Sequence, residues 1–176
     1  MLRPTLAQAY IHRTIRPNYA FTQATPASVL LDPAWDRSIK IWPGMVAMKT
    51  AGQQVTLING TGLAYGLFGE YIGGDGIDEP LTAGVNATAV WVMGPDAEFE
   101  ILAPAFDTGA SWVDPGDGTI KLVHAYVDGA NRGKLCPAGQ TGRGTVSAKP
   151  VGRLLMVDSS TKIVVGGLSP ADFSLT

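Results

Sequence analysis

Few side chains in this chain could do chemistry near neutral pH. There are two histidines, His12 and His124, and one cysteine, Cys136. A histidine can take the proton of a serine hydroxyl, and His124 could recruit Ser111 or Ser147. Neither serine lies in a strained Gly-x-Ser-x-Gly turn. His124 instead falls in an alternating stretch, where a polar side chain faces outward. The lone cysteine excludes an intrachain disulfide and a thiolate zinc cluster. Beside Pro137, it is expected as a free thiol in a loop. Paired carboxylates can divide the acid and nucleophile roles of glycoside hydrolysis or hold calcium. Glu98 and Glu100 share one strand face, which fits a solvent face. Asp75, Asp78 and Glu79 lack the spacing of a calcium loop. Gly73-Gly74-Asp75-Gly76 is followed by neither Lys-Ser/Thr nor a helix, so it makes no phosphate loop. No cofactor and no metal are expected.

The sharpest motif is Ala105-Phe106-Asp107-Thr108-Gly109-Ala110-Ser111-Trp112. It resembles the Asp-Thr-Gly-Ala/Ser core of the aspartic proteases, in which two aspartates share a proton across a dimer axis and activate water. A single copy implies a homodimer, with Val151-Gly152-Arg153-Leu154 as the matching downstream segment. Two departures count against this alternative. Pro104 and Ala105 interrupt the hydrophobic strand that should precede the aspartate. Residues 113–150 hold loops where a flap hairpin is needed. The plainer expectation is a turn started by the Asp107 side chain, with Gly109 at positive φ.

The elements that would position these residues are set by glycine and proline. Twenty-two glycines and twelve prolines cut the chain into short apolar runs. From residue 39 onward the runs are Ile39–Trp42, Met45–Lys49, Gln54–Ile58, Leu63–Phe68, Ala87–Met93, Glu98–Leu102, Thr119–Val127, Val151–Val157 and Lys162–Val165, with a short candidate at Thr145–Ala148. Asn59-Gly60-Thr61-Gly62, Gly94-Pro95-Asp96-Ala97 and Asp158–Thr161 are the turns between them. About eight short strands at roughly ten-residue spacing predict an all-β fold, a small β-barrel or sandwich. No amphipathic helix longer than two turns is visible, which excludes α/β folds.

Residues 1–38 differ in style. They contain no glycine but carry Pro4, Pro17, Pro26 and Pro33. Prolines at that spacing forbid a long helix and favour extended backbone. This stretch is too apolar for a solvated tail. It predicts an extended N-terminal arm (1–38), followed by a β-domain (39–168) and a C-terminal tail (169–176). Leu6, Tyr10, Ile11, Ile15, Tyr19, Phe21 and Trp35 are the arm's candidate partner-binding residues.

Charged residues make up only 16% of the chain, and the net charge is −2. Without a basic stripe, nucleic-acid binding is not expected. No run approaches the ~18 apolar residues of a membrane span, so no membrane partner is expected. Met1 to Tyr10, interrupted by Pro4 and Gln8, does not match a secretory signal, which predicts synthesis and use in a cytoplasm, or release from one by lysis. A surface this poor in charge predicts packing against something. The four tryptophans (Trp35, Trp42, Trp91, Trp112) could form a sugar platform. Their scatter over arm, strand and loop favours core and interface packing instead.

Three segments carry a family resemblance: Pro43-Gly44-Met45-Val46-Ala47-Met48, the glycine-led stretch from Gly84 to Leu102, and Pro150–Val157 followed by Lys162–Val165. Over residues 39–168 the chain resembles the small β-barrel decoration, or head-stabilising, proteins of tailed bacteriophage capsids. The resemblance implies a non-enzymatic virion structural protein on the capsid exterior, assembled in the host cytoplasm. Its partners would be the major capsid protein and neighbouring copies of itself, as a dimer or trimer. The long arm departs from that family and is expected as an added strap. A carbohydrate-binding β-module of a virion is the remaining alternative.

Overall fold

A computed structural model describes residues 14–17, 25–36, 38–60, 62–73 and 87–168. Leu6, Tyr10, Ile11, Tyr19 and Phe21 of the arm, His12, and the acidic group Asp75–Glu79 lie outside these residues. The strands are β1 (Ile15–Pro17), β2 (Thr25–Leu30), β3 (Val46–Lys49), β4 (Val55–Leu57), β5 (Ala64–Phe68), β6 (Ala87–Val92), β7 (Glu98–Leu102), β8 (Lys121–Ala125), β9 (Leu135–Pro137), β10 (Gly152–Ser159) and β11 (Lys162–Gly166). One 3-10 turn, Pro115–Asp117, is the only helical element among the described residues.

The strands form two antiparallel sheets. One has six strands in the order β1-β7-β11-β10-β8-β9, and the other has five in the order β2-β6-β5-β3-β4. The period-two pattern decides which side of each strand faces in. In β7, Phe99 and Ile101 are fully buried while Glu98 and Glu100 stay half-buried on the other face. In β11, Ile163 and Val165 repeat the pattern opposite Ile101 and Phe99. Val46, Leu67, Phe68 and Val90 of the second sheet belong to the same core. Trp91 meets Phe99 across the sheets, edge to face, at 5.8 Å between ring centroids. Each large apolar side chain buried here contributes about 1.5–3 kcal/mol.

Neither sheet closes into a barrel, so the fold is the sandwich alternative. The five-stranded sheet comes nearest to closure. Leu31, just past β2, makes one parallel bridge to Val55 in β4, and the Asp32 N–H donates to the Val55 carbonyl at 2.8 Å. The edges touch there and pair no further.

Three strands exceed the sequence expectation. β1 and β2 come from the predicted arm: over Ile15–Pro17 and Thr25–Leu30 the backbone is extended, as the prolines dictate, but it pairs with β7 and β6. The third, β9, falls in the polar, glycine-rich stretch expected to be loop. It is three residues long, too short to show a period, and it places Cys136 fully buried in a strand rather than in a loop. Conversely, Ile39–Trp42 contributes only the bridge Ile41–Ile72, and Thr145–Ala148 only the bridge Tyr126–Val146.

Candidate functional site

The segment between β7 and β8 holds the Asp107 motif. The Asp107 N–H donates to the Leu135 carbonyl, and Phe106 bridges Leu135, so the chain runs along the free edge of β9. The carboxylate is 3% exposed. It accepts from Arg143 Nε at 2.5 Å and Nη2 at 2.7 Å, from the Tyr126 hydroxyl at 2.8 Å and from the Gly109 N–H at 3.0 Å. Burial alone would raise its pKa. The Arg143 guanidinium, the Tyr126 hydroxyl and the Gly109 N–H outweigh burial and hold the carboxyl below its usual range. Tyr126 shifts upward, by burial and by donating to that carboxylate.

This geometry serves no water-activating dyad. The partner of Asp107 is a guanidinium, not a second carboxylate, and its oxygens are occupied by donors. The motif is instead a turn begun by the aspartate side chain, as expected. Gly109 does not take the expected positive φ; a Cβ there would lie 2.6 Å from Arg143 Nη2 and push the guanidinium off the carboxylate.

The turn also anchors the loop that leads on to β8. Trp112 Nε1 donates to the Asp107 carbonyl at 2.8 Å, and its ring meets Phe106 edge to face at 5.7 Å. Asp114 then accepts from the Gly116 N–H and from the Val157 N–H of β10, both at 2.8 Å. Gly118, at φ +77°, ends the 3-10 turn. The loop, anchored at both ends, therefore lies against β10 and presents Val113, 58% exposed, and Ile120, 53% exposed. Between them and Trp112, Leu122, Pro137 and Ala138 runs a groove of about 400 Å³, with Ser111 and Lys121 as its polar lining.

His124 and Ser147 do come together, but not as a catalytic pair. His124 Nδ1 lies 2.8 Å from the Ser147 carbonyl, so that nitrogen carries the proton. Ser147 Oγ donates to the Lys149 carbonyl and accepts from the Ala125 N–H. Ser111 lies on the groove instead. Among the described residues, no group of histidine, cysteine and acidic side chains could hold a metal ion. No helix among them is long and apolar enough to cross a membrane.

A family model described as phage cement protein matches residues 1–171. The chain belongs to the phage cement protein family. No curated protein and no solved structure matches it. The chain is thus a phage virion structural protein that stabilises the capsid, and cement proteins are not an enzyme class. For a cement protein, the informative features are surfaces and the groups that stiffen them. The Asp107 network anchors the loop that carries Val113 and Ile120.

Ile15, expected to touch a partner, is 4% exposed in the chain's own core, paired with Ile101. An apolar residue in a strand that joins its own sheet is spent on that sheet. Trp35 is half-buried against the core. Sequence reasoning missed Arg143 and Tyr126, far from Asp107 in the chain. It also missed Val113, a β-branched residue in an expected loop, and it placed the exposed Ile120 inside the Thr119–Val127 run, whose strand begins only at Lys121.

Proposed function

We propose that this cement protein binds the outer surface of the phage capsid lattice as a small oligomer and reinforces it. The match to the cement protein family over residues 1–171 carries this reading. A sparsely charged chain fits a protein that covers its surface with partners. Rigid loops favour binding, because little conformational entropy is lost on docking. In this reading the arm residues Leu6, Tyr10, Ile11, Tyr19 and Phe21 contact neighbouring subunits, with Trp35 at their base. Ile15 anchors the arm to the sandwich.

The test adds purified protein to capsids that lack it. Saturable binding at a fixed ratio to the major capsid protein is expected, with a higher temperature of DNA release. Absence of binding, or protection of the inner face only in surface labelling of intact capsids, would overturn the reading. Truncation should stop at residue 13, because β1 and β2 are strands of the two sheets.

A further inference from the structure

The groove beside Trp112 and the start of the described chain lie at opposite edges of the six-stranded sheet. The chain enters at Thr14, next to β1: the Thr14 carbonyl accepts from the Leu102 N–H, and its hydroxyl donates to the Pro43 carbonyl. The groove lies by β8 and β9, at the far end of the strand order. Five interstrand spacings separate the two edges, about 24 Å. Thirteen residues precede Thr14 and span up to about 43 Å when extended. They carry Leu2, Leu6, Tyr10 and Ile11, and residues 1–31 hold no acidic side chain.

To reach its own groove, the segment would have to cross the outer face of the sheet. That face carries Arg16, Glu98, Glu100, Lys162 and Arg153 around Val164 and the exposed Met156, with Lys162 paired to Asp158 at 3.0 Å. Laying apolar side chains over those charges would strip them of water without replacing it. A segment arriving from a second molecule meets the groove from its open side.

We propose that the groove formed by Trp112, Val113, Ile120, Leu122, Pro137 and Ala138 receives residues 1–13 of a neighbouring copy. The arm and the groove are different surfaces at opposite edges, so the contact is head to tail. Such contacts close into rings when the rotation permits. The inference rests on the arm being a contact segment, as in the proposed function, and gives it a specific receptor.

Mixed single-cysteine variants test it on the full chain. Cys136 is fully buried and its thiol is pushed up to about 12, chiefly by burial and then by Asp107, so it stays out of the reaction. Tyr10→Cys and Ile120→Cys proteins are mixed and treated with a short bis-maleimide. A crosslinked dimer formed only in the mixture is expected. It should disappear when the Ile120→Cys partner also carries Val113→Asp, an exposed site whose change leaves the melting transition in place. A Tyr10→Cys/Ile120→Cys double variant that crosslinks only within one molecule would overturn the proposal. So would Ile120→Cys crosslinking to the major capsid protein on capsids with none between copies. Capsid binding by the wild type is measured in parallel. Its failure removes the proposed function, whereas a missing crosslink with binding intact removes only the arm's receptor.

Discussion

Arg132 lies across the free edge of β4, its Nη2 donating to the Leu57 carbonyl at 2.8 Å and its Nε to the neighbouring Ile58 carbonyl at 2.9 Å. The side chain reaches from the connection between β8 and β9 in one sheet to the last strand of the other. It satisfies two carbonyls that no further strand pairs, and it joins the sheets at the same time. Unpaired edges are where sheets recruit foreign strands. A planar fork with fixed donors suits two adjacent carbonyls.

Arg132→Ala is expected to destabilise the protein by about 2–3 kcal/mol, the scale of hydrogen bonds from a charged donor. Arg132→Lys should lose most of that as well, because a single ammonium cannot hold both carbonyls in this geometry. Urea unfolding midpoints measure both. A lysine variant as stable as wild type would contradict the role of the fork.

Asp107→Asn should cost about 3 kcal/mol. The amide presents a nitrogen to groups that are all donors and leaves Arg143 without its counter-charge. Tyr126→Phe removes one of four donors and should cost about 1 kcal/mol. Hydrogen exchange of residues 107–118 should rise in the first variant more than in the second. Unchanged exchange in Asp107→Asn would show that the loop is held otherwise.

Stability should fall in two acid steps. Burial lowers the His124 pKa below its ordinary 6.5, with partial opposition from the Ser147 carbonyl. The unfolded chain therefore takes up this proton first, so the contribution is complete above pH 6.5 and is lost as pH falls from there through the folded value. Asp107 is held below its ordinary 3.8, so its contribution is complete above that value and is lost as pH falls through the lower folded one. Unfolding midpoints from pH 8 to pH 3 measure both steps. His124→Asn should flatten the upper step alone.

Gly133→Ala is expected to cost at least about 3 kcal/mol. Gly133 has φ +84°, and a Cβ there would sit 2.3 Å from Leu57 Cδ1 and 2.9 Å from Met45 Cε. The Gly133 carbonyl also accepts from the Val46 N–H, so the backbone cannot move away without releasing β3. Gly129→Ala in the same connection has φ +67° but open space, and should cost less. Equal losses in the two variants would assign the effect to backbone conformation rather than to packing.

The sequence by itself determined the class of fold and the places of eight of its strands. Phe99 and Ile101 alternating with Glu98 and Glu100 fix a half-exposed strand, because the side-chain period of a strand is two. The turn started by Asp107 was legible too, because an aspartate bonds its own backbone two residues on. What only the tertiary structure decided were relationships without a local cause. The prolines of the leader dictated extended backbone, yet nothing local says whether such backbone pairs with its own sheet, as Ile15 does with Ile101. Three residues at Leu135–Pro137 carry no period, and only β8 beside them makes them a strand. Arg143 meets Asp107 across thirty-six positions, and Arg132 meets Ile58 across seventy-four. Those contacts depend on how two sheets stack, and pairing at such separations leaves no pattern in the chain for a local rule to read.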